Sequence, residues 1–218
     1  DAYRLLAQHG ATEIVSVHIG STVSGTLNSA HLAAREADVP VHLVDTGAAS
    51  FVVGAAAIEA AGAAAQGAAA AEVMAIAERT AGACGNVFIV GGLDFMRAGG
   101  RLDASLAGEP LTVPVLSLVD GTVSQIGSAA NPDEATALMV DAVRDSGAGA
   151  GARVKATVGT SDVWSFDIGD QLDKRLSATD GVDVARYRIG PSVGAHTGPG
   201  SVGVVFYPSE SRQVAVLS

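Results

Sequence analysis

The feature that most constrains the fold is an alternation of strand-length apolar runs with helix-like stretches in the first part of the chain. Residues 12–18 (TEIVSVH) show a buried-strand pattern, residues 23–35 read as a helix, and residues 41–45 (VHLVD) follow as a second strand. Such a unit pairs its two strands in parallel through a right-handed crossover. Two Ala-rich helices are predicted next, at residues 50–61 and 69–81.

The second part of the chain has a different order of elements. Asp120-Gly121 is a strong two-residue hairpin signal between two apolar runs. Asn131-Pro132 combines a capping residue with a proline at the first helical position, which predicts a helix over residues 132–144. A further helix is predicted over residues 165–176. Strands are predicted at residues 87–90, 113–119, 122–126, 154–158, 182–188, 202–207 and 213–217.

Composition and charge exclude several classes of function. The chain has 13 Lys and Arg against 23 Asp and Glu, a net charge of −10, and an acidic chain repels a polyphosphate, so no nucleic acid partner is expected. Cys84 is the only cysteine, which excludes an internal disulfide framework and a multi-Cys zinc site. No run of 18 apolar residues and no signal peptide pattern is present. We therefore expect a cytoplasmic protein without stable membrane insertion.

Residues 21–26 (STVSGT) stand at the predicted junction between the first strand and its helix. Hydroxyl groups, a glycine and free backbone N–H groups meet there at a helix N-terminus, a combination that can bind an anion. An ordinary serine N-cap, worth ~1 kcal/mol of helix stability, accounts for the same residues. No Gly-Lys-Ser/Thr follows, so neither a P-loop nor ATP binding is predicted.

A second motif, HTGPG at residues 196–200, is predicted to form a tight loop just before a strand. A histidine followed by a hydroxyl and two glycines suits contact with a small polar ligand group, although a lone loop histidine is more often solvated or capping. The Gly-Gly turn before Arg101 would place a cation at the mouth of a site, or would be a loop with a surface arginine. Asp45-Thr46-Gly47 ends a strand where α/β folds place functional residues, or caps the next helix.

Other candidate residues carry less information. His18, His31 and His42 show no metal-ligand spacing, so no metal site is predicted. Neither paired catalytic carboxylates nor a Ser-His-Asp order with its motif context is found, so no catalytic residue is predicted.

Together these motifs resemble the DegV family of bacterial proteins. The resemblance spans about residues 14–206 and is carried by five segments in order, at residues 21–30, 44–46, 93–102, Pro114 and 196–200. It implies an α/β chain with a DegV-like two-domain fold. Residues 1–84 would form a parallel α/β/α lobe that lacks the family's N-terminal strands, so the chain would be truncated at its N-terminus. Residues 85–218 would form a second α/β lobe with a mixed sheet.

The resemblance also implies a function in lipid binding. A long-chain fatty acid would lie between the lobes, and a separate fatty acid kinase would convert it to an acyl phosphate for phospholipid synthesis. The chain would then be a binding subunit rather than an enzyme, with the fatty acid as its ligand and with no cofactor. Arg101 would lie at the rim where the kinase docks. The carboxylate would be held by Ser21, Ser24, Gly25, Thr26, His196 and Thr197.

The sequence departs from the family pattern at two further places, the second of which bears on the kinase. The stretch between Arg101 and Pro114 is a few residues short, and residues 127–130 (GSAA) lack a basic residue that the family often carries. Two alternatives therefore stay open. A domain similar to the substrate domain of dihydroxyacetone kinase would bind a small ketone through His196 in a small polar pocket. A non-catalytic scaffold paralogue would only hold a partner.

Overall fold

The computed structural model describes residues 1–93, 112–146 and 153–209. Helices and strands alternate along most of these ranges. The helices are α1 (Ala2–Gln8), α2 (Thr26–Ala34), α3 (Phe51–Ala64), α4 (Ala70–Ala83), α5 (Pro132–Asp145), α6 (Phe166–Ser177) and α7 (Pro191–Thr197). The strands are β1 (Ile14–His18), β2 (Val41–Asp45), β3 (Gly85–Ile89), β4 (Val113–Val119), β5 (Thr122–Ala129), β6 (Val154–Thr160), β7 (Val182–Arg188) and β8 (Val202–Pro208).

The strand–helix–strand unit predicted at the start of the chain is confirmed. β1 and β2 pair in parallel from Ile14 opposite Val41 to His18 opposite Asp45, and α2 lies between them in sequence. The apolar side of this pair packs on α3 and α4, with Val44 fully buried beside Val52 and Ala77. Ala-rich helices suit this position because small side chains let helices approach closely.

The remaining described strands form a six-stranded sheet in the order β5-β4-β3-β8-β6-β7. β6 and β7 are parallel, whereas the other neighbouring pairs are antiparallel, so the sheet is mixed as predicted. α5 and α6 cover one face, where Met139 and Leu172 are fully buried among the strand residues. The opposite face turns toward β1, β2 and the helices α3 and α4, since Val205 of β8 belongs to their core.

Several boundaries differ from the sequence prediction. The helix predicted from residue 23 begins at Thr26, because Val23 and Ser24 donate backbone hydrogen bonds to the Gly20 carbonyl in a turn. α1 was not predicted. The predicted strand at residues 213–217 lies outside the described residues. No helix within the described ranges is long and apolar enough to cross a bilayer. The division into lobes at residues 84 and 85 stays a prediction.

The prediction of a tight loop at residues 196–200 is wrong for its first two residues. His196 and Thr197 form the last turn of α7, and the tight turn begins only at Gly198, whose φ is 75°. Pro191 stands at the start of this helix, where its fixed φ is already helical. Gly194 within seven residues weakens the local helix signal, so propensity alone did not reveal the element.

The N-terminus of α5 offers a test of local capping. Asn131 accepts a hydrogen bond from the Glu134 backbone N–H at 2.9 Å, and the Glu134 carboxylate accepts one from the Ala130 backbone N–H at 2.9 Å. Asn131→Ala removes the first bond, so we expect it to destabilise the protein by about 1 kcal/mol and to lower Tm by about 2–4 °C. Thermal unfolding measures this, with Asn131→Ser as the control that retains a capping oxygen. An equal Tm for wild type and Asn131→Ala would contradict the capping role.

Candidate functional site

A cavity of about 460 Å³ lies between the six-stranded sheet and the loops that follow β1 and β2. This volume falls within the range of small-molecule sites. Most of its wall is apolar, and includes Ile19, Val23, Phe88, Leu118, Ile189 and Val193. Polar side chains are also present, namely Ser24, Thr26, Ser50, Asn86, Tyr187, Ser192, His196, Thr197 and Ser201.

The predicted carboxylate-binding residues are partly brought together by the fold. Ser24, Thr26, His196 and Thr197 all line the cavity, and we call them the head-group cluster. They come from two segments far apart in sequence, the start of α2 and the end of α7. Ser21 precedes the cluster in sequence and Gly25 lies between Ser24 and Thr26, but neither residue lines the cavity. Arg101, the predicted rim residue, lies outside the described residues.

At the start of α2 the hydroxyl groups bond to one another. The Ser24 and Thr26 hydroxyl oxygens lie 2.8 Å apart, and the Thr26 backbone N–H donates to the Ser24 oxygen at 3.3 Å. The alternative of an ordinary serine N-cap is wrong, because the N-cap residue of α2 is Gly25. The first backbone N–H groups of a helix lack intrahelical partners and sit at its positive end. This end of the cavity therefore suits an anion.

Asp45 holds the loop that carries Ser24. Its carboxylate accepts hydrogen bonds from the backbone N–H of Ser21 at 3.1 Å and of Gly47 at 3.0 Å. Burial alone would raise the pKa of Asp45, but the bonds from Ser21 and Gly47 and the nearby His18 together lower it below its usual value. Asp45 neither lines the cavity nor caps α3, so both of its predicted roles are replaced by a positioning one.

The loops after β1 and β2 also pack directly on each other. A Cβ atom at Gly20 would lie 2.6 Å from the Gly47 carbonyl carbon, so only glycine permits this approach. The Gly20 N–H donates to the Ala48 carbonyl at 2.7 Å, and the Thr46 hydroxyl donates to the His18 carbonyl at 2.8 Å. The two loops thus form one rigid edge beside the cavity.

Hydrogen bonds with Ser201 and Asp162 fix the turn after α7. The buried Ser201 hydroxyl contacts the carbonyls of Gly198 at 2.8 Å and Thr197 at 3.0 Å. The Asp162 carboxylate accepts a hydrogen bond from the Gly200 N–H at 2.9 Å. These bonds fix the end of α7 and therefore the position of His196.

Sequence reasoning missed a second polar pair in the cavity wall, Ser50 and Tyr187. Their hydroxyl oxygens lie 2.8 Å apart, and the ring centroids of Tyr187 and Phe51 lie 4.8 Å apart. Burial raises the pKa of Tyr187, although the bond with Ser50 acts in the opposite direction. Ser50 has φ 58° and ψ −136°, a conformation that non-glycine residues seldom adopt and that clusters at functional sites. The only signal in sequence was the strand alternation that sets Tyr187 on the face opposite Val182 and Val184.

Comparison with known proteins gives consistent matches over most of the chain. A family model described as Uncharacterised protein, DegV family, matches residues 1–209. A DegV domain-containing protein of Streptomyces coelicolor is 35% identical over 208 residues, which cover 94% of this chain and 73% of the relative. One from Mycobacterium tuberculosis is 33% identical over 205 residues, which cover 92% of this chain and 72% of the relative.

Solved structures show the same architecture. A DegV family protein from Thermus thermophilus, described by its fatty acid binding, is 30% identical with a TM-score of 0.85, and the match covers 95% of this chain and 75% of that one. A DegV lipid binding protein from Thermotoga maritima is 24% identical with a TM-score of 0.85, over 96% of this chain and 73% of that one, and supports the fold. The expected DegV-like α/β fold with a mixed sheet is therefore confirmed.

Asp45→Asn tests the positioning role of the Asp45 carboxylate. Because the folded state lowers the pKa of Asp45, its charge stabilises the protein above the pKa of an unfolded aspartate, about 3.9, and this stabilisation is lost as pH falls through the folded value. We expect the variant to melt below wild type at about pH 7, and the difference to shrink steadily as pH falls below about 4. Thermal melts across this range measure it.

The control for this experiment is Asp38→Asn, at an exposed position between α2 and β2. It should melt like wild type throughout. A Tm difference for Asp45→Asn that is constant with pH would show that the charge of Asp45 does not hold the loop.

Proposed function

The chain belongs to the DegV family, and from this we propose that it binds a long-chain fatty acid in the cavity between the six-stranded sheet and the loops that follow β1 and β2. The observation that carries the proposal is the cavity itself, which is apolar along most of its wall and polar at the head-group cluster. That distribution matches a molecule with a long hydrocarbon tail and one charged end. Fatty acid binding by the Thermus thermophilus relative, which is 30% identical, supports the same assignment.

The tail supplies most of the binding free energy. Burying ~15 methylene groups at ~0.8 kcal/mol each gives roughly 12 kcal/mol before the costs of association are subtracted. With an association cost of about 4 kcal/mol, roughly 8 kcal/mol remains, which corresponds to a dissociation constant of about 1 μM before the head group contributes. Ligand bound that tightly would stay with the protein during purification.

The head group supplies orientation. Ser24 and Thr26 offer hydroxyl donors beside the start of α2, and His196 offers a ring N–H from the end of α7. The helix dipole adds about 0.3–1 kcal/mol for an anion near that terminus. A carboxylate placed there leaves the tail to extend over the apolar sheet. Ser21, Thr26 and His196 are exposed, so the carboxylate would remain accessible from outside.

An accessible carboxylate suits presentation to a second protein. We propose that a separate fatty acid kinase is the partner and that it transfers a phosphoryl group from ATP to a carboxylate oxygen, giving an acyl phosphate and ADP. The chain's own role is to bind and orient the acid, so it is proposed as a binding subunit and not as an enzyme. We propose that the ligand is held without a metal or a cofactor.

The small-ketone alternative fits the cavity less well. A ketone of a few carbons would need a small polar pocket around His196, whereas His196 opens into a cavity that continues over Phe88, Leu118 and Val205. Such apolar walls would leave a small polar ligand without hydrogen-bond partners, which costs free energy. A scaffold role would not require the cavity.

The first test is what the purified protein carries. We expect denaturing extraction followed by mass spectrometry to release a fatty acid of myristic to stearic length, in amounts proportional to the protein, without any being added. A mock purification from cells that lack the chain is the control. An extract free of fatty acid, together with no uptake of added palmitic acid, would overturn the proposal.

The second test concerns the head-group cluster. Ser24→Ala and His196→Ala each remove a hydrogen bond to a charged group, worth roughly 1.5–3 kcal/mol, so palmitate affinity should fall about tenfold to a hundredfold. The tail's contribution stays, and binding is therefore weakened rather than abolished. Titration of palmitate into delipidated protein measures the affinity, and melting temperature is recorded on the same samples.

Matched controls for these variants are Ser29→Ala and His31→Ala, since both residues lie on α2 and outside the cavity wall. They should bind palmitate like wild type. Unchanged affinity in folded Ser24→Ala and His196→Ala would mean that the carboxylate lies elsewhere in the cavity.

A further inference from the structure

A single row of directly opposed residues runs across neighbouring strands of the six-stranded sheet, on the face toward the cavity. The strand register places Leu116 opposite Phe88, Phe88 opposite Gly203, Gly203 opposite Gly159, and Gly159 opposite Tyr187. Directly opposed residues of neighbouring strands share a face of the sheet. Two glycines therefore stand side by side in the middle of a row that has an aromatic residue on each side.

This row faces the cavity. Side chains alternate between the two faces of a strand, and Val202 and Val204, the neighbours of Gly203, are buried in the core under α5 and α6. Gly203 must therefore face the other way, and it lines the cavity together with Phe88 and Tyr187.

The two glycines leave different amounts of space. A Cβ atom at Gly159 would lie 2.3 Å from Cζ of Tyr187, so the tyrosine ring already fills the space over that residue. A Cβ atom at Gly203 would lie 3.0 Å from Cβ of Phe88 and 3.3 Å from the Val87 carbonyl oxygen. Both atoms belong to the neighbouring strand β3, so the nearest atoms do not lie across the cavity. Because Gly203 has no side chain, the sheet surface is lower there, and space remains between the rings of Phe88 and Tyr187.

Tyr187 is held firmly in place. Its hydroxyl lies 2.8 Å from that of Ser50, across the cavity edge, and its ring packs on Phe51 with centroids 4.8 Å apart. Its position over Gly159 keeps the ring beside the sheet. A side chain restrained on three sides forms a wall that cannot easily turn away from a ligand.

We propose that Gly203, Phe88 and Tyr187 form a trough that selects the shape of the acyl chain, a proposal that rests on the proposed function. Gly203 is the floor, and the two rings are the walls. A glycine inside a strand often marks close approach of a ligand to the backbone. A straight saturated chain lies along this floor between the rings, whereas a chain with a cis double bond meets the Tyr187 wall.

Three variants of the full chain test the trough, each delipidated and then loaded from an equimolar mixture of palmitic and oleic acids. Tyr187→Ala removes the wall, so the bound ratio of oleic to palmitic acid should rise at least about tenfold, since a single methylene group in an apolar pocket is already worth about tenfold. Tyr187→Phe keeps the ring but loses the hydrogen bond with Ser50, and should give a smaller rise in this ratio. Gly203→Ala raises the floor, and palmitate affinity should fall about tenfold.

The control is Gly82→Ala, because a Cβ atom there would meet no atom within 4 Å and Gly82 lies outside the cavity wall. It should keep the wild-type ratio. The ratio and the affinity are both measured on the folded fraction of each variant, so partial unfolding of Gly203→Ala does not obscure its result. The tyrosine variants test the trough independently of it. If wild type binds palmitate while Tyr187→Ala keeps its ratio and folded Gly203→Ala keeps its affinity, the trough is overturned alone. A wild type that binds neither acid would overturn the proposed function as well.

Discussion

The central strand β8 is apolar on both of its faces, and the rest of the structure is arranged to cover it. Residues from Val202 to Tyr207 are all buried, with Val202, Val204 and Phe206 against the core under α5 and α6, and Val205 in the core of α3 and α4. Burial of one such side chain contributes about 1.5–3 kcal/mol, so neither face can be left to water. The layer built from β1, β2, α3 and α4 must therefore lie on the sheet.

Coverage of that second face is incomplete, and the cavity is the result. α3 and α4 reach β8 at Val205, and polar contacts hold the layers together there, where the Glu59 carboxylate pairs with Lys155 and accepts from the Tyr207 hydroxyl at 3.1 Å. Burial and the neighbouring Glu59 raise the pKa of Tyr207, so this hydroxyl stays a donor. Farther along the sheet Ser50 and Tyr187 form the other tie. Between these ties Gly203 lowers the sheet surface, and space remains for a ligand.

The head-group cluster lies where the architecture brings loop ends together. α/β folds place ligands beyond the carboxyl ends of parallel strands, and the segment from Ser21 to Thr26 follows the carboxyl end of β1. Asp45, at the end of β2, ties this segment to its own loop, while Ser201 and Asp162 fix the turn after α7. The segments that carry the cluster are therefore held by hydrogen bonds to Asp45 and Asp162, which do not line the cavity, and to the buried Ser201, which does. Such support keeps a site in place before the ligand arrives.

The sequence by itself determined the local elements and the motifs that carry the family resemblance. Strand alternation, the Asp120-Gly121 hairpin and the Asn131 cap each depend on neighbours within a few residues, so their physical signals are complete in a short window. Tertiary structure alone decided which residues meet in the cavity. α7 was misjudged because its local propensity is weak, and the Ser50–Tyr187 pair and the row through Gly203 and Gly159 depend on strand register. Register joins residues far apart in the chain, and a one-residue shift would turn Tyr187 to the opposite face, so no local pattern can specify these contacts.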